Sequence, residues 1–164
     1  MCDITPAGTP AQQLVVNGSF ENPNTTIPVT WVRTGLALFS SVTPHCGKLA
    51  MNLQGTLGMP SSANQQISIP SGVSHAFLDF WVFFPSGDSA FLTVKLGATT
   101  IANLASSSLS AGKFTHVGLL DVDVSAFTGA STWLTFQGQS TVGQGPTIDD
   151  VSLTTAIHLL SNGC

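Results

Sequence analysis

The sequence predicts an all-β chain, built as a sandwich or barrel of short antiparallel strands. Three observations carry that expectation. Apolar and polar residues alternate in short runs, the period of a half-buried strand. Clusters of Gly, Pro, Ser and Asn separate the runs. Helical spacing of apolar residues is nearly absent along the 164 residues.

The elements follow in order. Strands are expected near Gln13–Phe20, Leu36–Val42, Lys48–Gln54, Ala63–Ile69, Ala76–Phe84, Ala90–Gly97, Thr99–Leu104, Phe114–Val124, Thr132–Gly138 and Thr147–Leu159. "IPSG" and "FPSGDS" place Pro and Gly where turns favour them. "DVSAFTG" reads as a short helical turn. Residues 1–12 read as an N-terminal tail, 13–160 as a single domain and 161–164 as a C-terminal tail. The length suits one domain with a real core.

Successive strand side chains face opposite ways, so parity predicts sidedness. Leu49, Met51 and Leu53 oppose Lys48, Asn52 and Gln54. Leu78, Phe80, Val82 and Phe84 oppose Phe77, Asp79, Trp81 and Phe83. Leu92, Val94 and Leu96 oppose Thr93 and Lys95. Leu134 and Phe136 oppose Trp133, Thr135 and Gln137. Several strands therefore pair an aliphatic face with a polar and aromatic one. In a two-sheet sandwich only one face per strand meets the core, so the second is expected to be open.

Charge is the compositional outlier. Charged residues make up 7% of the chain, against roughly 25% in ordinary domains. Four Lys and Arg cannot build the phosphate-neutralising patch of a nucleic-acid binder. No apolar run approaches the ~18 residues of a membrane span. The opening stretch "MCDITPAGTP" lacks the basic and apolar regions of a signal peptide. The expectation is a mature secreted domain that starts at an added Met1, in keeping with its Ser/Thr-rich, Lys-poor composition. Asn17-Gly-Ser and Asn24-Thr-Thr are sequons, informative only in a glycosylating host. Weak like-charge repulsion also leaves self-association open.

The inventory of reactive groups argues against an enzyme. Glu21 is the sole Glu, and Asp121/Asp123 and Asp149/Asp150 are the only close carboxylate pairs. Most glycosidases need two carboxylates flanking the scissile bond. No nucleophile elbow, Gly-rich phosphate loop or H-E-x-x-H is present. His45, His75, His116 and His158 lie without metal-ligand spacing and read as structural.

Two chemistries survive. Glu21 ends the first expected strand and Asp149-Asp150 begins the last. A hard cation such as calcium takes six to eight oxygens, part carboxylate and part carbonyl, and two carboxylates from opposite ends of the chain are able to anchor one. The other is aromatic. Trp81, Trp133, Asp79, Lys95, Asn52 and Gln137 supply stacking faces and hydroxyl partners for sugars, if their strands are neighbours on one open face.

"LVVNGSFE", "TWVRTG", "PHCGKLAMNLQG", "QQISIPSG" leading into "FLDFWV", and "TIDDVSL" follow one another in order. In this succession the chain resembles the galactose-binding-like jelly roll, particularly carbohydrate-binding modules of families 4, 9 and 22. The resemblance spans about Leu14 to Leu153. It implies two antiparallel sheets packed face to face, with the first and last strands as neighbours. It also implies a structural calcium, with Glu21 and Asp150 as side-chain ligands and backbone carbonyls near Ser19 and Gly47-Lys48 completing the shell. Sugar-binding aromatics vary in position among such modules, so none is carried over.

The same neighbourhood implies a use for the cysteines, which stand at positions 2, 46 and 164. Position sums near 171 would mark opposed residues. A Cys2–Cys164 disulfide tying the termini is then expected, with Cys46 a free, buried thiol at the calcium end. The expected function is a secreted, non-catalytic carbohydrate-binding module with polysaccharide or glycan as partner. The alternative is a self-assembling structural or adhesive subunit of an extracellular filament, surface layer or matrix.

Overall fold

The alternation becomes strands. In the computed structural model, which describes residues 11–23 and 30–155, ten strands form: β1 (Val32–Thr34), β2 (Ala37–Ser40), β3 (Ala50–Leu53), β4 (Ser61–Ser68), β5 (His75–Phe83), β6 (Ala90–Leu96), β7 (Thr99–Ala105), β8 (Phe114–Asp123), β9 (Ser131–Ser140) and β10 (Thr147–Thr154). A single 3-10 turn, Ser125–Phe127, sits inside the "DVSAFTG" segment expected to be helical. Among the described residues, no helix is long and apolar enough to cross a membrane.

The strands pair antiparallel in two five-stranded sheets. The back sheet runs β1-β4-β9-β6-β7 and the front sheet β2-β3-β10-β5-β8. This is the β-sandwich jelly roll the sequence predicts. The aliphatic parity sets turn inward as expected. Met51, Leu53, Leu78, Phe80, Val82, Leu92, Val94, Leu134 and Phe136 are all fully buried. A relay of rings crosses the interior. Phe20 and Trp31 lie 5.2 Å apart, Trp31 and Phe136 6.1 Å, and Phe136 and Phe80 5.2 Å, so a front-sheet ring meets a back-sheet ring. Burying each such ring stabilises by roughly 1.5–3 kcal/mol.

The expected first strand, Gln13–Phe20, is the main correction. Only an isolated bridge forms there, Gln13 with Thr154. Beyond it the side-chain amide of Gln65 pairs with Val16, accepting its N–H at 2.7 Å and donating to its carbonyl at 2.8 Å. Asn17 and Phe20 then take positive φ angles of 52° and 58°, which break a strand and drive the Phe20 ring into the core. The neighbourhood of the chain's two ends holds nonetheless. Leu14 N–H bonds Leu153 O, and Val151 N–H bonds Gly18 O. Gly18 is required at that crossing, because a Cβ there would collide with the Val151 carbonyl. Asn17, the first sequon residue, uses its side chain to hold Asn22 on both backbone groups.

β1 was not expected from the sequence. It lies at the edge of the back sheet, exposed along its length. The expected extension of the last strand to Leu159 runs outside the described residues, as do Cys2, Cys164 and the second sequon. Cys46 is half-buried and does not carry a free thiol, contrary to expectation.

Candidate functional site

The outward residues of the front sheet make the site. On β5 these are His75, Phe77, Asp79, Trp81 and Phe83. Register then dictates their company. Trp81 lies opposite His116 of β8 on one side and Asp149 of β10 on the other, while Phe83 lies opposite Phe114 and Thr147. The loop before β3 crosses above β10 and adds His45. Trp81 thus stands between two imidazoles. His45 stacks on it with centroids 3.9 Å apart and planes 16° from parallel; His116 is 4.9 Å away and tilted. His45 meets the Phe114 edge at 5.2 Å, and Phe114 meets Phe83 at 5.6 Å. The result is a continuous aromatic row over β5 and β8.

Each imidazole on this face is tied to a carboxylate. His116 Nε2 lies 2.9 Å from both oxygens of Asp79, His45 Nδ1 lies 2.8 Å from Asp150 Oδ2, and His75 Nδ1 lies 2.9 Å from Asp121 Oδ1. These bonds fix ring orientation. Gly118 makes room for one of them: a Cβ there would lie 2.6 Å from His116 Cε1. β5 and β8 shift register between Leu78 and Phe80.

Asp149 holds the loop in place. Its Oδ2 accepts the N–H groups of His45 at 2.9 Å and Cys46 at 3.3 Å, and its Oδ1 accepts the N–H of Asp150 at 2.8 Å. The side chain is fully buried. Burial, helped by the adjacent Asp150 charge, pushes its carboxyl up to about 6. β10 changes register with β5 between Asp149 and Ser152, and Asp150 at φ 49° turns its side chain to His45.

The six residues expected to form one ligand platform divide between two faces. Trp81 and Asp79 belong to the front face, and so does Asn52, whose amide donates to Thr147 Oγ1 at 2.8 Å. Trp133, Lys95 and Gln137 lie on the outer face of the back sheet, where Lys95 Nζ approaches Gln137 Oε1 at 3.3 Å. The sandwich separates the groups, so they cannot act on one ligand together. Trp133 is 43% exposed with Gln66 opposite it. His45, His116 and Phe114 were missed as site residues. Their signal was available only across strands, because each meets Trp81 or its neighbours through pairing and not through sequence spacing.

Glu21 does not end a strand as expected; it lies beside the loop that leads into β3. Its Oε1 accepts the N–H groups of Lys48 at 2.7 Å and Leu49 at 2.8 Å. Those two bonds, Leu49 foremost, hold its carboxyl below the usual range. Gly47 is at φ 72°, and a Cβ there would strike this carboxylate. The Glu is therefore a clasp on the loop that carries His45. Among the described residues, no three His, Cys, Asp or Glu side chains gather where they could hold a metal ion.

No protein-family model and no curated protein matches the chain. Solved structures share its fold. A family 61 carbohydrate-binding module, solved with β-1,4-galactotriose, is 17% identical at TM-score 0.58, over 87% of this chain and 97% of its own. The C-terminal family 22 module of Clostridium thermocellum Xyn10B is 15% identical at TM-score 0.57, over 90% of this chain and 95% of its own. The K3 adhesin domain of Lys-gingipain from Porphyromonas gingivalis is 15% identical at TM-score 0.60, over 88% and 99%. A cyclase from Fischerella sp. has the fold as well. The likeness establishes a jelly-roll β-sandwich fold; activity has to be argued from the site.

Proposed function

We propose that the chain is a non-catalytic, extracellular glycan-binding module whose ligand lies along the outer face of the front sheet. The observation that carries the reading is the aromatic row His45–Trp81–His116 with Phe83 and Phe114, set on an open sheet face beside fixed carboxylates. Sugar rings present C–H faces to aromatic edges and faces, while the exposed carboxylates of Asp121 and Asp123 bond hydroxyls. The matched carbohydrate-binding modules support this reading. The test is binding to a glycan array and to insoluble polysaccharides. Retention on at least one glycan, lost in Trp81→Ala, is expected; a wild-type protein that retains none ends the proposal.

A calcium ion on Glu21 Oε2 and Asp150 Oδ1 is the second part of the proposal. It is supported by the docking of the Asn17–Phe20 turn on the β10 irregularity through the Gly18–Val151 bond. Calcium would tie that turn to the loop behind His45 and stabilise both. Thermal unfolding with and without a chelator tests it, and an unchanged midpoint at every calcium level removes the ion from the account.

Self-assembly is the second reading. Leu36, Leu57, Met59 and Val142 are exposed on the β1–β2, β3–β4 and β9–β10 loops at one end of the sandwich. Sedimentation across a concentration series decides it: a strict monomer counts against assembly.

A further inference from the structure

The charge on the front face narrows the ligand class, given the glycan-binding reading above. Asp79, Asp121, Asp123, Asp149 and Asp150, five of the chain's eight acidic residues, belong to β5, β8 and β10 of the front sheet. None of the four basic residues does. Arg33 and Lys95 are in β1 and β6 of the back sheet, and Lys48 and Lys113 are in the loops that lead into β3 and β8. Asp79, Asp121 and Asp150 each bond one imidazole, Asp123 accepts the Ser125 N–H, and the buried Asp149 accepts backbone N–H groups. The open face therefore presents the exposed carboxylates of Asp121 and Asp123, and no Lys or Arg from its strands, beside the aromatic row. Asp121 and Asp123 stand at the far end of that row, with Phe77 lying opposite Asp121.

We infer that the ligand is an amino glycan, a polymer of hexosamine units with free amines. Its rings lie over Trp81, Phe83, Phe114 and Phe77, and its ammonium groups pair with Asp121 and Asp123. Uronate or sulfated chains meet like charge on this face and are disfavoured. A neutral chain makes the ring contacts but gains nothing from the carboxylates. The face runs the nine residues of β5, about 30 Å at strand rise, long enough for several sugar units.

The experiment is calorimetric titration of the full chain with four soluble hexamers: glucosamine, N-acetylglucosamine, glucose and galacturonate. The glucosamine hexamer should bind about tenfold tighter than its acetylated counterpart at low salt, the sum of a few exposed ion pairs. High salt should erase the preference. The double variant Asp121→Asn/Asp123→Asn, at two exposed positions, should erase it too while the circular-dichroism spectrum stays that of the folded chain. Equal affinity for the free and acetylated amines, or tighter binding of galacturonate, overturns the amino-glycan inference and leaves the glycan-binding reading intact. Failure of every hexamer and every arrayed glycan overturns both.

Discussion

His45 and Trp81 stack face to face, centroids 3.9 Å apart, although 36 positions separate them in the chain. The stack joins a loop to a strand, and so places the site under the control of whatever holds that loop. Two carboxylates hold it: Glu21 through the N–H groups of Lys48 and Leu49, and Asp149 through those of His45 and Cys46.

Removing the ring tests the stack itself. His45→Ala should cost about 0.5–1.5 kcal/mol, the value of an aromatic pair beyond its buried area. It should also weaken glycan binding by removing one ring of the aromatic row. Denaturant unfolding and a binding titration on the same variant separate the two effects.

Asp149 makes stability depend on pH in an unusual direction. Its folded carboxyl titrates near 6, above the ordinary 3.8. Between those values the folded state holds more protons than the unfolded one, so this group's contribution falls as pH rises. The loss across the window is at most about 3 kcal/mol, from ~1.4 kcal/mol per pKa unit. Glu21, Asp88 and Asp123 are shifted the other way, and their contributions disappear only below about pH 4. Urea unfolding between pH 4 and 6 should show stability declining with pH, and Asp149→Asn should flatten that slope.

Much of the fold was legible beforehand. Parity named the inward set Leu78, Phe80, Val82 and Phe84 correctly because burial of one strand face imposes a period of two. The neighbourhood of the chain ends was legible as well: Leu14 with Leu153 and Gly18 with Val151 pair near the expected register. What could not be read was which open faces coincide. Trp81 and Trp133 have the same local pattern, yet β5 and β9 belong to different sheets. Only long-range pairing decides that, and single-strand periodicity carries no information about it. The histidines were misjudged for the same reason, since their Asp partners are 37 to 105 positions away.

Gln65 shows how a side chain replaces a strand. It satisfies both the N–H and the carbonyl of Val16. Gln65→Leu keeps the size but strands both groups, and should cost about 1–3 kcal/mol. Hydrogen exchange at Val16 should accelerate more than at Leu134 in the opposed strand.

Gly118 gives a test confined to the site. Gly118→Ala places a methyl against the His116 ring and should push His116 off Asp79. Ligand affinity should fall severalfold and the unfolding midpoint should drop, because Asp79 is buried and loses its partner.

The measurement closest to the central claim compares two tryptophan variants for retention on whichever glycan the wild type binds. Trp81→Ala should abolish retention and Trp133→Ala should leave it unchanged, because only Trp81 lies on the front face. Loss in Trp133→Ala with full retention in Trp81→Ala would contradict the account and move the ligand to the back sheet.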